Sequence, residues 1–397
     1  MTRHVVVVED RAHYREGHFP NACADLARAL SALGCSVELL TTFGWAGDGN
    51  PEPPSFQVTR TPKWIASVFL ASERMGRRTA TLHGRTQSLV WYASGIVRAL
   101  ANGCAVRHVV RRCGPGVDVI SFSYLVNPVI AAASDGPVRV VHHTVVSPPF
   151  NGPPQTLLGR ALDQLARRAE ARRRARGGGF RIAVGSEQAL AEWRNRTPYL
   201  DPVLLRHASS REEARAENPR EQFGIATDAR VALVFGSTHG SKDLDTIWRA
   251  FTTLPEWTLL VVGNVAGEYE TWSAEHGGPP AITRRGFVDA PTRAAAYSAA
   301  DVVVLSFVPG HLRDSAVLQD AITFGVPVLC SDDCSVATEV LAHRLGETFA
   351  VGDPDALGAA LRPGPRPIDA ADLEAARAAS SALASAQAHL AALDAIG

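Results

Sequence analysis

Short apolar runs alternate with helical stripes along the whole chain. Four valines follow His4 without a polar interruption, and a polar stretch from Glu9 to His18 comes next. Pro20 then opens a segment in which Ala24, Leu26, Ala27, Leu30 and Leu33 recur on one helical face, and Gly34 closes it. A second apolar run occupies 35–41. Continuous runs of this kind suit strands covered on both faces, and Pro at the start with Gly at the end suits a helix between them. A strand–helix–strand unit requires parallel pairing.

The pattern continues after a Gly-, Pro- and Asp-rich stretch at 44–62, which reads as a long loop. Residues 64–110 are mostly helical, with Leu89, Tyr92, Ile96 and Leu100 at helical spacing. Strands are expected at 117–122 and 138–142, the second running into His142, His143 and Thr144 before the breaker-rich 147–154. A basic helix is expected over 155–176, ending in Arg167, Arg168, Arg172, Arg173, Arg174 and Arg176. Cations at a helix C-terminus are favoured by its dipole, so a solvated face explains the run. An acidic acceptor or a membrane surface is the functional reading. A strand at 180–184 and a helix from Glu187 follow.

Charge-rich residues 209–218 separate this half from a second that restarts the alternation. Strands are expected at 231–235, 257–262, 281–284 and 301–306, with helices over 244–254 and 291–299. In the stretch from Gly310 to Asp332, Val317, Leu318, Ala321 and Ile322 predict a helix starting near Ser315 and stopped by Gly325, with a strand resuming at Val326. An alanine-rich helical tail covers 370–396. The fold class is α/β, two doubly wound domains.

Composition narrows the function. The 397 residues carry a formal net charge of zero, which argues against nucleic acid as the main partner. No leader pattern and no run of membrane-spanning length is visible, so the cytoplasm is the expected location. The six cysteines, Cys23, Cys35, Cys104, Cys113, Cys330 and Cys334, are scattered as in a reduced protein. Lysine occurs only at Lys63 and Lys242, whereas Lys and Arg together number 40. That bias points to a GC-rich genome and adds weight to each lysine, since Lys and Arg are not equivalent at a phosphate.

The stretch from Gly310 to Asp332 holds the clearest chemistry. Arg313, Asp314 and Ser315 precede a helix whose free amides and dipole favour an anion, and Asp320 offers a carboxylate one turn in. Amides for phosphate with a carboxylate for a ribose diol suit a nucleoside diphosphate. Asp243 and Asp245 read as a helix-start feature, so no metal is expected. A dinucleotide oxidoreductase is disfavoured, because no Gly-x-Gly-x-x-Gly follows the first strand.

Phe235 and Gly236 with Lys242 and Asp243, then Gly263, Gly286 to Val288, Ala300 to Ser306, Asp314 to Ala321 and Gly325 to Val328, follow in an order that resembles the GT-B glycosyltransferases. The likeness is nearest to the family-4 group of retaining, nucleotide-sugar-dependent enzymes. It spans nearly the whole chain and is strongest between residues 230 and 355. It implies two Rossmann-like domains facing a central cleft: 1–208 on the acceptor side, 209–366 on the donor side, and a helix in 367–397 packing back on the first.

Residue by residue, the resemblance gives Lys242 the donor pyrophosphate, with Gly236 and Gly263 in the loops beside it. Ser237 stands where the family places an arginine, a loss for which Arg313 would compensate. Backbone around Gly286, Phe287 and Val288 would read the base, and Asp320 would hold the ribose hydroxyls. Asp314, Ser315, Ala316 and Val317 form the loop whose amides meet phosphate. Leu312 occupies the place of a glutamate that contacts the donor sugar, leaving Arg313 and Asp314 as candidates for that contact. In the first domain, Gly17 and His18 match the loop after the first strand, and His143, with His142 beside it, matches a histidine that reaches the sugar. Lys242, Arg313 and the helix amides would hold the leaving diphosphate while His143 orients the sugar.

The implied reaction moves a sugar from a GDP- or UDP-sugar co-substrate to a small-molecule acceptor, with retention and with neither a metal nor a tightly bound cofactor. Specialised, antibiotic-type metabolism is the expected setting. Two other readings fit the same residues: an inactive transferase-like binding subunit, and a GT-B nucleotide-sugar epimerase or hydrolase.

Overall fold

A computed structural model describes residues 2–10, 19–45, 55–78, 84–114, 116–122, 138–144, 179–196, 201–206, 216–237 and 240–396, with scattered positions between 164 and 175. Gly17, His18, most of the Arg-rich stretch 155–176 and the 145–154 loop lie outside these residues. The chain divides into two compact units, Met1–Ala208 with Ala382–Gly397, and Ser209–Ser381.

In the first unit the order is β1 (His4–Glu9), α1 (Phe19–Ala32), β2 (Ser36–Thr41), β3 (Gln57–Arg60), α2 (Lys63–Arg78), α3 (Gly84–Cys113), β4 (Asp118–Ser121), β5 (Arg139–His143), β6 (Gly179–Val184), α4 (Glu187–Arg196) and β7 (Val203–Leu204). The second unit holds α5 (Pro219–Gln222), β8 (Arg230–Phe235), α6 (Leu244–Phe251), β9 (Trp257–Gly263), α7 (Val265–His276), β10 (Ala281–Arg285), α8 (Ala290–Ala299), β11 (Val302–Leu305), α9 (Ala316–Phe324), β12 (Val328–Ser331), α10 (Ser335–Ala342), β13 (Gly346–Phe349), α11 (Pro354–Leu361) and α12 (Ala370–Ala379). The last helix, α13 (Ala382–Asp394), belongs to the first unit.

Among the described residues the strands form two parallel sheets, ordered β3-β2-β1-β4-β5-β6-β7 and β10-β9-β8-β11-β12-β13. The winding direction reverses between β1 and β4 and again between β8 and β11. At such a reversal the helices on either side leave a crevice at the carboxyl ends of the strands, where α/β proteins hold ligands. The strand sequences explain the parallel choice. The middle valines of β1 and the whole of β11 are buried, as sheets covered on both faces require.

Each sheet is buried by helices. In the second unit one core joins Leu260 and Val262 to Tyr297, Leu318 and Phe324. The other joins Val234 and Val261 to Ile247, Trp248 and Phe251. In the first unit α1 and α13 share a core in which Leu26 and Leu30 meet Ala386, Ala392 and Leu393.

Two elements differ from the sequence expectation. The 44–62 stretch, expected as loop, contains β3, which pairs with β2 from Glu38↔Gln57 to Thr41↔Arg60. An edge strand needs only one buried contact, so its polar composition hid it. The tail read as one helical stretch is two helices separated at Ser380 and Ser381. Arg377 on α12 donates to the Ile322 and Thr323 carbonyls in the second unit, while Leu393 on α13 is fully buried in the first. The alanines can form helix anywhere, and the partners decide where it breaks.

Truncation after Ser381 removes three fully packed side chains and four half-buried ones from the α1 core, of which Leu393 alone is worth roughly 2–5 kcal/mol. Calorimetry of the truncated chain is expected to show a first-unit transition lowered by several degrees or lost. An unchanged profile would mean that α13 contributes nothing to that unit.

Candidate donor-binding site

In the second unit the loops after β8, β9, β11 and β12 meet at the carboxyl edge of the sheet. Gly236 ends β8 with φ 104° and Gly263 ends β9 with φ 107°. Their backbones touch: Gly236 N donates to Val262 O at 2.9 Å, and Val265 N donates to Gly236 O at 3.1 Å. A Cβ on Gly263 would stand 2.4 Å from Gly236 O. Glycine at 263 is therefore demanded by sterics as well as by its positive φ. The exposed Ser237 follows Gly236.

Lys242 lies in the loop before α6. An antiparallel bridge to Phe307 ties that loop to the segment after β11. The bonds Asp243 N to Ser306 O and Val308 N to Ser241 O, both 3.0 Å, reinforce it. Asp243 caps α6 by accepting from Thr246 N at 3.3 Å and Thr246 Oγ1 at 2.6 Å. The Lys242 ammonium turns inward and donates to Phe235 O at 3.0 Å. A methyl on Gly236 would lie 3.5 Å from both Lys242 Nζ and Val317 Cγ2. The missing side chain of Gly236 thus leaves room between the lysine and the first turn of α9.

Ser315 caps α9, its hydroxyl accepting from Leu318 N at 3.3 Å. Ala316 and Val317 form the helix start, and Gly325 ends it at φ 66°. The loop before Ser315 is stitched to the start of α10. Gly310 N donates to Asp333 O at 3.0 Å, Ser335 N to His311 O at 2.8 Å, and Ser335 Oγ to Arg313 O at 2.6 Å. This holds the Arg313 main chain while its side chain stays exposed; Leu312 and Asp314 are half-buried.

Asp320 has a partner that sequence reasoning missed. Its carboxylate lies 3.4 Å from the guanidinium of Arg293 on α8. The fully buried Tyr297 hydroxyl sits between α8 and α9, 3.5 Å from Val317 O. Burial, with Asp320 beside it, pushes that hydroxyl well above its usual range, so it remains a donor. No local pattern could have shown that Arg293 and Asp320 meet. Gly286, at φ 82°, and the exposed Phe287 lie between β10 and α8, and Val288 packs on the core below.

Of the first-unit candidates, His142 and His143 are both buried at the end of β5 and point to opposite faces. His142 meets Phe180 edge-on. His143 is hydrogen-bonded to His389 of α13, a residue the sequence reading did not single out. The described residues that could together hold a metal ion are His4, Glu38 and Cys113, with ligand atoms within 4.8 Å of one another. They sit at the start of β1, within β2 and at the end of α3, where Arg112 already donates to Glu38. No described helix is long and apolar enough to cross a membrane.

Burial is the main influence on Lys242. It lowers the ammonium pKa to about 8, against a smaller upward pull from Glu268. Below that pH the side chain is a cation suited to phosphate; above it the amine is neutral.

Comparison with known proteins bears on the domain and the fold. Residues 215–363 fit the family model described as glycosyl transferases group 1. Similar solved structures cover nearly the full length, among them the following three. WaaG, described as a glycosyltransferase involved in lipopolysaccharide biosynthesis, is 19% identical, with a TM-score of 0.59 and 99% of each chain covered. Sucrose-phosphate synthase from Thermosynechococcus elongatus is 15% identical, with a TM-score of 0.61 over 99% of this chain and 96% of that one. A trehalose-6-phosphate protein from E. coli, bound with UDP-2-fluoro glucose, is 11% identical, with a TM-score of 0.66 and 99% of each chain covered. A search of curated proteins by sequence finds no match. The chain has the GT-B fold, and residues 215–363 of its second unit match the group 1 glycosyl transferase model.

Two measurements probe this site. Gly263→Ala is expected to lower stability by roughly 1–3 kcal/mol through strain and the clash with Gly236, read as a reduced denaturation midpoint. Diphosphate binding is expected to draw a proton onto Lys242 and to weaken above about pH 8, by at most about tenfold per unit. Titration calorimetry near that pH in buffers of different ionisation enthalpy measures the uptake. Zero uptake would place Lys242 away from the phosphate.

Proposed function

We propose that this chain, a glycosyltransferase by its group 1 domain and its fold, transfers a sugar from a nucleoside-diphosphate sugar to a small-molecule acceptor with retention at the anomeric carbon. The observation that carries this reading is the space left by Gly236 between a half-buried lysine and the capped start of α9. A diphosphate entering there would meet the Lys242 ammonium on one side and the amides of Ala316 and Val317 on the other. Both stabilise the charge that grows on the leaving diphosphate as the glycosidic bond breaks. Lys242 would exchange its bond to the Phe235 carbonyl for a stronger one to an anion, which offsets the cost of its burial.

The remaining roles extend from that centre. Asp320, oriented by Arg293, would accept from the ribose hydroxyls, and the backbone of Gly286, Phe287 and Val288 would lie along the base. UDP is the favoured nucleotide, since a structurally similar protein is bound with UDP-2-fluoro glucose. Arg313 would supply a second cation in place of the arginine that Ser237 replaces. In the first unit, His143 would meet the donor sugar. Gly17 and His18, which come after β1 in the sequence, would contact donor or acceptor.

Leu312, an apolar residue where an acid would contact the sugar, favours a second reading in which the chain binds nucleotide sugars without transferring them. One experiment separates the two. Thermal-shift screening with nucleoside diphosphates and their sugars first identifies the nucleotide. Donor-dependent release of nucleoside diphosphate is then measured for the wild type and for Lys242→Ala. The transferase reading expects release by the wild type and a loss of roughly 100-fold or more in the variant. Tight nucleotide binding with no release from any donor would leave the binding subunit standing.

A further inference from the structure

In the first unit, Val5 and Val7 of β1 and Val37 and Leu39 of β2 share a core with α1 and α13. Side chains alternate along a strand, so His4, Val6 and Glu38, the partner of Val6, face the other side of the sheet. The end of α3 comes to this side. One ligand atom each from His4, Glu38 and Cys113, the last residue of α3, lies within 4.8 Å of the other two. An imidazole, a carboxylate and a thiol from three separate elements thus converge on one point.

Glu38 is already oriented. Its side chain is 6% exposed, and Thr59 Oγ1 and an Arg112 nitrogen both donate to Oε1. With both bonds on one oxygen, Oε2 is left for a cation, and hydrogen bonds behind a carboxylate are what a metal ligand needs. The His4 ring makes no hydrogen bond among the described residues. A tetrahedral ion with bonds of about 2.0–2.3 Å sets its ligand atoms roughly 3.3–3.8 Å apart, so these need to close by about 1 Å. His4 and Cys113 are half-buried, which permits that rotation and gives an ion a way in. Arg112 also lies beside Cys113 and would repel a bare dication. Carboxylate and thiolate together cancel the charge of the ion, and the negative pole of the 30-residue α3 adds to them.

We propose that His4, Glu38 and Cys113 form a zinc-binding site, with water as the fourth ligand. One nitrogen, one oxygen and one thiolate sulfur are a donor set that zinc accepts. On binding, the Cys113 thiol gives its proton to solvent and a sulfur–zinc bond forms, with no change of oxidation state. The site lies toward the amino edge of the sheet, whereas His143 ends β5 at the carboxyl edge. Its role is structural: the ion cross-links β1, β2 and the end of α3. It stands independently of the transferase reading.

The test uses the full chain, freed of metal with a chelator and then given zinc or cobalt. Dialysis followed by elemental analysis is expected to find one zinc per chain. Zinc at about 100 times its Kd is expected to raise the unfolding midpoint by roughly 5 °C or more. Cobalt in the same site is expected to show the visible bands of a tetrahedral ion and the near-ultraviolet band of a cobalt–thiolate bond. Cys113→Ser is expected to lose the thiolate band, and His4→Ala to weaken zinc binding by at least about tenfold. Cys35→Ser, at a half-buried thiol just before β2, is expected to change neither. No retained zinc, an unmoved midpoint or a missing thiolate band overturns the proposal. Binding that survives both Cys113→Ser and His4→Ala is adventitious and overturns it too. If those variants do not fold, alkylation of the unaltered chain with iodoacetamide decides, with the modified peptides located by mass. Zinc is expected to slow modification of Cys113 by at least about tenfold; an unchanged rate overturns the site.

Discussion

The loops of the second unit depend on one close approach, the backbone of Gly263 against that of Gly236. Strands β8 and β9 run side by side, and both chains must turn off the sheet at the same height. With a side chain at Gly263 the carbonyl of Gly236 could not sit where it accepts from Val265. That bond ties the start of α7 to the end of β8. It also sets the path by which the chain after Gly236 passes over the sheet toward Lys242. Bridges from Lys242 to Phe307 and from His311 to Cys334 carry the same rigidity across to the loops after β11 and β12. Four loops with little regular structure are thus held by backbone bonds, and these do not depend on which side chains a ligand later engages.

Within that frame the identity of Lys242 matters. The surrounding chain uses arginine almost everywhere, yet the inward-facing cation is a lysine. A compact ammonium on a flexible stem can be tucked against a carbonyl, whereas a planar guanidinium would need several acceptors in one plane. The same burial that fits the ammonium into the space beside Gly236 depresses its pKa. Arg293 and Asp320 illustrate the opposite choice. There a guanidinium and a carboxylate on neighbouring helices, 20% and 15% exposed at their side chains, hold each other's orientation while keeping an edge toward solvent.

The first unit is closed by the end of the chain. The helix α13 fills the groove beside α1 with small residues and Leu393, and it brings His389 to His143. Arg3 joins the same helix to the sheet, pairing with the buried Asp118 at 2.6 Å and with Asp394 at 2.9 Å. The final helix therefore meets Arg3, just before the first strand, and a histidine at a strand end. Packing, charge and hydrogen bonding act together there, which gives the helix a single register on the sheet.

How much of this was legible in the sequence depends on the range of the interaction concerned. Continuous valine runs, Pro at helix starts and Gly at helix ends predict the parallel strands and their helices, because burial and capping act within a few residues. Ser315 as a cap, Gly325 as a stop and Asp243 as a helix-start carboxylate belong to that class. The strand β3 was hidden because an edge strand carries little apolar signal. The break between α12 and α13 was hidden because alanine forms helix with or without a partner. Arg293 with Asp320 and His389 with His143 were invisible for a different reason. They are 27 and 246 residues apart, and only the packing of one element on another brings them within a hydrogen bond. The sequence by itself determined the buried strands, the capped helices between them and the residue types at the sheet edge. The tertiary structure decided which of those residues hold one another in place, since hydrogen-bond geometry between distant segments exists only once the cores have formed.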